Sequence, residues 1–208
     1  MAGSVRGRRA PRVSGDERER AILEEAERLL GERSLGEISV DDLARGAGIS
    51  RPTFYFYFPS KDAVVLTLID RIVVEADRVR DESLQSQADP VASWRESIRI
   101  MYATFAEHGA TVRAAAELGA TNDEARALWS RVMEGWVEHV AERIEAEVAR
   151  GAATPAAPPP RELAIALVQM AERVMHAIFI AESPAVDATQ AVDVLDHVWR
   201  TAIYGAAA

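Results

Sequence analysis

The segment from Ser39 to Lys61 constrains this chain most, because it admits two short helices, one tight turn and little else. Ser39-Val-Asp-Asp42 reads as a capping box with Asp in place of the usual Glu. It opens a helix whose Val40, Leu43, Ala44 and Ala47 face inward. Gly48 follows, the residue best able to take positive φ in a turn. Ser50 caps a second short helix, whose first turn tolerates Pro52 because an N–H there has no intrahelical acceptor. Pro59 stops that helix, and Ser60 caps a long one running from Lys61 to about Leu84. The small side chains of Ala44 and Ala47 let the two short helices cross steeply, with Ile49 plugging the core beneath the turn.

Two such helices behind a longer supporting one form a helix-turn-helix. The supporting helix begins at Asp16 and sets Ile22, Leu23, Ala26, Leu29 and Leu30 on one face. The second short helix then offers the groups a DNA major groove requires. Arg51 can fork to guanine O6 and N7, and the Thr53 methyl can meet that of thymine. Tyr55, Tyr57 and Lys61 suit phosphate oxygens, and Ser39, Ser50 and Pro52 at the two helix starts complete the expected set. Phe54-Tyr-Phe-Tyr-Phe58 puts five aromatics in a row, which a plain helical hairpin would not carry. Phe54 and Phe58 share a face and are expected to pack inward, leaving Tyr55 and Tyr57 to point outward.

The rest of the chain carries helical periodicity near 91–107, 110–118, 123–150, 160–182 and 188–204, with Thr121-Asn-Asp-Glu124 reading as another capping box. Ala152 to Pro160 is a Pro/Ala linker that cannot continue a helix. No period-two pattern is sustained, so the expected fold is all-α with about nine helices. The expected divisions are a disordered basic arm at 1–15, a DNA-binding domain at 16–62 and a second helical domain at 63–208.

Net charge at first argues against nucleic acid, since the 208 residues sum to −9. Residues 1–62, however, carry 11 basic and 11 acidic side chains, so the whole excess lies in residues 63–208. The acidic part would be held off the phosphates, while Arg8 and Arg9 in the basic arm add attraction independent of sequence. The chain has no cysteine, which excludes disulfides, thiol catalysis and Cys-ligated zinc. No apolar run reaches the about 18 residues a membrane span needs, and no apolar stretch follows the basic start as a secretory leader requires. The expected location is cytoplasmic, with no membrane partner. The four histidines form no H-x-x-x-H pair, and neither a phosphate loop nor a nucleophile elbow is present, so neither an enzyme nor a cofactor is expected.

In the second domain, Trp94, Ile98, Met101 and Phe105 form one helical stripe, and Trp129, Met133, Trp136 and Val140 another. Met170 and Val174 recur on a later helix with Met175 and His176 beside them, and Trp199 lies near the end. Such stripes suit either a plain core or the wall of an apolar cavity. Leu163, Leu167, Met170 and Val174, with Ala191, Val194, Leu195, Val198 and Ile203, read as half of a four-helix interface between two copies. Intrachain packing is the alternative. A dimer would set two recognition helices about 34 Å apart, one turn of DNA.

The whole phrase from Ser39 to Lys61 resembles the N-terminal signature of the TetR family of transcriptional regulators. The likeness continues in Ser14-Gly-Asp16, Leu128-Trp-Ser130, Arg150-Gly-Ala-Ala153 and Ile203-Tyr-Gly205, which are similar to one branch of repressors in that family. The resemblance implies a three-helix DNA-binding domain on a six-helix ligand-binding and dimerisation domain. It further implies a homodimer on a palindromic double-stranded DNA operator, released when a small apolar ligand tilts the helix from Lys61. By position it sets Trp94, Ile98, Met101, Phe105, Trp129, Met133, Trp136 and Trp199 on a long pocket, with Met170 and Met175 nearby. Ala171 stands where that branch has an asparagine able to bind a ligand carbonyl, and His139 and His176 stand where it has aromatics. The alternative function is an interaction protein of the same fold without specific DNA binding; the Arg51, Tyr55, Tyr57 and Lys61 set argues against it.

Overall fold

In the computed structural model, which describes residues 14–85, 90–153 and 158–205, the described residues form nine α-helices, one 3₁₀ turn and no strand. The helices are α1 (Gly15–Glu32), α2 (Val40–Gly46), α3 (Arg51–Tyr57), α4 (Lys61–Gln85), α5 (Pro90–Glu107), α6 (Gly109–Gly119), α7 (Asp123–Ala149), α8 (Pro160–Phe179) and α9 (Ala191–Tyr204). The 3₁₀ turn, Leu35–Glu37, lies between α1 and α2. Two compact units emerge, the first ending at Val64 and the second running from Val65. Arg8 and Arg9 lie outside the described residues, as does 154–157 of the Pro/Ala segment.

Three reciprocal caps organise the first unit. Ser14 and Glu17, Ser34 and Glu37, and Ser39 and Asp42 each satisfy both ends of a capping box. The Ser14 cap starts α1 one residue before Asp16. Ile22, Leu23, Ala26, Leu29 and Leu30 are all buried, and each of the four larger side chains contributes about 1.5–3 kcal/mol of apolar burial. Leu43 and Ala44 of α2 and Phe54 of α3 meet them in one small core, whereas Val40, Ala47 and Ile49 are only partly covered. Gly48 takes φ +67°, as the turn requires.

The second unit is built around Trp94, which is fully buried. Its ring meets Trp199 edge-on at 5.8 Å, and its Nε1–H donates to the Tyr204 hydroxyl at 2.8 Å, joining α5 to α9. From α7 the Arg143 guanidinium lies 3.7 Å over the same ring and donates to the Ser93 and Ser97 hydroxyls. Burial of that guanidinium pulls it down to about 10. One aromatic side chain thus ties three helices together.

Several sequence expectations need correction. Asn122, not Thr121, caps α7, its side chain accepting from Ala125 N at 3.0 Å. The helix expected at 160–182 ends at Phe179, where Glu182 N turns back to Ala177 O at 2.9 Å. The last helix starts at Ala191 rather than 188, because Asp187 accepts from both Thr189 N and Thr189 Oγ1 and holds a turn. The expected interface residues Leu163, Leu167, Ala191, Leu195 and Ile203 are buried within the chain itself, at 8% exposure or less. They are core, because α8 and α9 turn these faces onto their own neighbours. Only Val194 and Val198 of that set stand exposed, one helical turn apart.

Candidate nucleic-acid interface and ligand cavity

Phe54 and Phe58 are buried, and they fix the roll of α3 about its axis. What remains outside differs from the expected arrangement. Tyr55 is exposed, but Tyr57 is half-buried, and Phe56 takes the outward place at 83% exposure. Successive helix positions turn by 100°, so residues 55 and 57 cannot share one outward face, whereas 55 and 56 nearly do. Phe56 was the legible signal that sequence reasoning passed over.

Arg51 opens α3 with its guanidinium in solvent, 2.8 Å from Asp41 and 3.4 Å from the Tyr55 hydroxyl. The hydrogen bond to Tyr55 and the charge of Asp41 both raise its affinity for the proton. The fork is therefore held in one orientation before any ligand arrives. Ser50 and Thr53 are bonded to each other, Oγ to Oγ1 at 2.8 Å, and Ser50 Oγ also accepts from Thr53 N as the α3 cap. Pro52 is exposed in the first turn. Ser39 is likewise held by its cap: its Oγ donates to Asp42 Oδ2 at 2.6 Å and accepts from Asp42 N, and the Ser39 bonds lower the Asp42 carboxyl.

Lys61 has an engagement the sequence did not reveal. Its Nζ donates to Leu35 O at 2.7 Å and Ile38 O at 2.9 Å, closing the 3₁₀ turn onto the start of α4. Gly46 is a second hidden requirement. A Cβ there would lie 2.1 Å from Glu25 Cδ on α1, and Glu25 is itself paired with Arg28 at 2.7 Å.

In the second unit, a narrow cavity, with free space of only about 20 Å³, is walled by Met101, Phe105, Trp129, Met133, Trp136, Met175 and His176, all expected there. Val112, Val132, Val168, Glu172 and Phe179 complete it. A smaller gap, with free space of about 10 Å³, is lined by Trp94, Ile98, Met101, Trp136, His139 and Trp199 around Arg143. Met101, Trp136 and Val168 face both. Met170 and Ala171 belong to neither wall: Met170 packs against the core and Ala171 is fully buried. A third cleft brings Ile69 of α4 together with Val112, Trp129, Glu172 and His176. Glu172 was not anticipated, and burial raises its carboxyl above the usual carboxylate range. Its signal was present, since Val168, Glu172, Met175, His176 and Phe179 follow one helical stripe interrupted by a single acid. Among the described residues no cluster of metal-ligating side chains occurs, and no helix is long and apolar enough to cross a membrane.

The exposed face of α3 behind the turn at Gly48 defines a helix-turn-helix protein, and sequence comparison assigns its family. Residues 22–68 match the family described as bacterial regulatory proteins, tetR family, and residues 94–205 match the C-terminal domain of transcriptional regulator EthR. The chain belongs to the TetR family of transcriptional regulators, which are not enzymes, and to its EthR-like branch. It is 50% identical to the HTH-type transcriptional regulator EthR of Mycobacterium tuberculosis over 207 residues, covering 99% of this chain and 95% of that one. It is 48% identical to EthR of Mycolicibacterium smegmatis over 201 residues, covering 96% and 92%. A TetR-family regulator from Syntrophomonas wolfei shares the fold at TM-score 0.74 and 15% identity, over 90% of this chain and 95% of that one.

Proposed function

We propose that this regulator is a repressor that binds a near-palindromic double-stranded DNA operator as a homodimer in the cytoplasm, and that a small apolar ligand releases it. The observation that carries this reading is the outward face of α3. Arg51, Tyr55 and Phe56 stand in solvent on a helix whose opposite side is anchored by Phe54. An exposed phenylalanine gains nothing from water, yet it can meet a thymine methyl while Arg51 leaves Asp41 for a guanine edge. Tyr55 supplies a phosphate contact. Ser39, Ser50, Pro52 and Thr53 act mainly by fixing the two helix starts, half-buried Tyr57 closes the far end of α3, and Arg8 and Arg9 add sequence-independent attraction.

Dimerisation uses the part of α9 left uncovered, with Val194 and Val198 at its centre. Ligand response runs through α4, which begins at Lys61 in the first unit and carries Ile69 onto a cleft wall in the second. A ligand that displaces Ile69 tilts the helix that starts beside α3. It must favour one dimer state over the other, because equal affinity shifts nothing.

The test is fluorescence anisotropy with the DNA upstream of this chain's own reading frame and with an unrelated duplex. Affinity should fall with salt on a log–log slope of about −0.9 per phosphate contacted. Arg51→Ala should mainly erase the preference between the two duplexes, whereas Tyr55→Phe should weaken both alike. A flat salt response, or no preference in the wild-type protein, overturns the operator reading in favour of a non-DNA interaction protein. Val194→Asp with Val198→Asp should yield a monomer in sedimentation; an unchanged dimer would move the interface elsewhere.

A further inference from the structure

The charged groups bordering the clefts around α7 and α8 are nearly all matched. Arg126 is paired with Asp123, Arg173 with Glu182 at 2.6 Å, and Glu134 with Arg161 at 2.7 Å. Glu172 is the exception: its carboxylate makes no hydrogen bond or ion pair with any described residue, although it borders three adjoining cavities. His176 lies one turn along α8, and the neighbouring cation, Arg173, is already committed to Glu182. A carboxylate drawn partly out of water without a partner costs free energy that nothing in the apolar packing returns. Phe105, Trp129, Trp136 and Phe179 face the same narrow space, which adjoins two wider clefts that Glu172 also borders, and Phe105 and Trp129 meet edge to face at 6.2 Å. Aromatic rings attract cations through their negative faces, as a carboxylate does through its charge.

We propose that Glu172 anchors a subsite for a cationic amine bearing an apolar tail, the ammonium lying between the carboxylate and the rings of Phe105, Trp129 and Phe179. This rests on the reading of the second unit as a ligand domain, and it names the class of ligand. The tail occupies the space toward Met101, Met133 and Trp136, where no charge borders the wall. An anionic ligand is excluded from this end by Glu172, and a neutral one leaves the carboxylate without a partner.

The experiment is calorimetric titration of the full chain at pH 7.5 with N,N-dimethyloctylamine, 1-octanol and octanoate, which share one tail length. The amine should bind at least tenfold tighter than the alcohol, and octanoate weakest. Glu172→Gln should bring the amine to the level of the alcohol. Glu134→Gln, which removes an acid already paired with Arg161, should leave the preference intact. Equal binding of amine and alcohol, a preference that survives in Glu172→Gln, or no binding by any of the three overturns the proposal. Thermal unfolding of the unliganded variant confirms that it is folded. Operator binding by the free protein is measured in parallel: its absence would defeat the regulatory reading without altering the amine result, and its presence would not rescue a failed titration.

Discussion

Replacing Lys61 with Met separates a structural role from a DNA contact, because the two roles predict different readouts. The ammonium donates to Leu35 O and Ile38 O at 2.7 and 2.9 Å and is partly buried. A hydrogen bond from a charged donor contributes about 1.5–3 kcal/mol net, and the buried ammonium has already lost part of its hydration. Lys61→Met keeps the apolar stem, so a loss of about 2 kcal/mol is expected rather than the full sum. For the first unit, which ends at Val64, unfolding on its own, that corresponds to roughly 8–16 °C in Tm. All four tryptophans lie at 94, 129, 136 and 199, within the second unit. Urea unfolding followed by far-UV circular dichroism should therefore shift to lower urea, while tryptophan fluorescence moves less. Arg45→Met is the charge-matched control, since the Arg45 side chain is 77% exposed and holds Asp42 only at 3.7 Å. The control should lose DNA affinity through charge alone and keep its stability. If Lys61→Met unfolds at the wild-type midpoint by both signals, the ammonium is not a structural post and the reasoning fails.

Ser39→Ala removes the side-chain half of the α2 capping box, leaving Asp42 to accept from the backbone N–H of residue 39, and should cost about 1 kcal/mol in urea denaturation. Gly46→Ala should destabilise the first unit, because its Cβ must displace Glu25 from Arg28, whereas Gly135→Ala in open space on α7 should stabilise by about 1 kcal/mol. Glu172 has its folded-state pKa raised above 4.5 by burial, so the native state holds the proton more tightly and stability falls as pH rises through that window. Glu172→Gln should therefore melt higher than wild type at pH 8 and no higher at pH 4; an equal gain at both values would deny the linkage.

The helix count, the turn at Gly48 and the burial of Phe54 and Phe58 were legible because each is a local choice. Caps, glycines and periodicity act within a few residues, and here they agree with the fold. The exchange of Tyr57 for Phe56 and the Asn122 cap were local misreadings, whereas the larger failures are questions of what a residue meets across space. Lys61 carries the charge of a phosphate ligand, and nothing near it in sequence shows that two carbonyls 23 and 26 positions earlier claim its protons. Leu163, Leu195 and Ile203 have the amphipathic spacing of an interface, but spacing cannot say whether the covering helix belongs to the same chain or another. The cavity stripes were half legible for the same reason. Trp129, Met133 and Trp136 show a common face by period alone, but only the fold tells that Trp94 is sealed beneath Arg143 while Trp129 borders open space.

Glu172 shows how the two kinds of evidence combine. One acid in the stripe Val168, Glu172, Met175, His176 and Phe179 is an inconsistency with a plain core, and a helix packed only for stability would replace it with a residue of similar volume. Retaining it has a cost that the unliganded fold does not offset, since its carboxylate has no described partner. The same acid that lowers the stability of the free protein raises the affinity of a cation that reaches it. Stability and ligand affinity at this position are therefore predicted to move in opposite directions under a single substitution. A residue kept only for packing would move neither in that way. Opposite signs in the melting curve and the titration of Glu172→Gln would mark the site as built for a ligand.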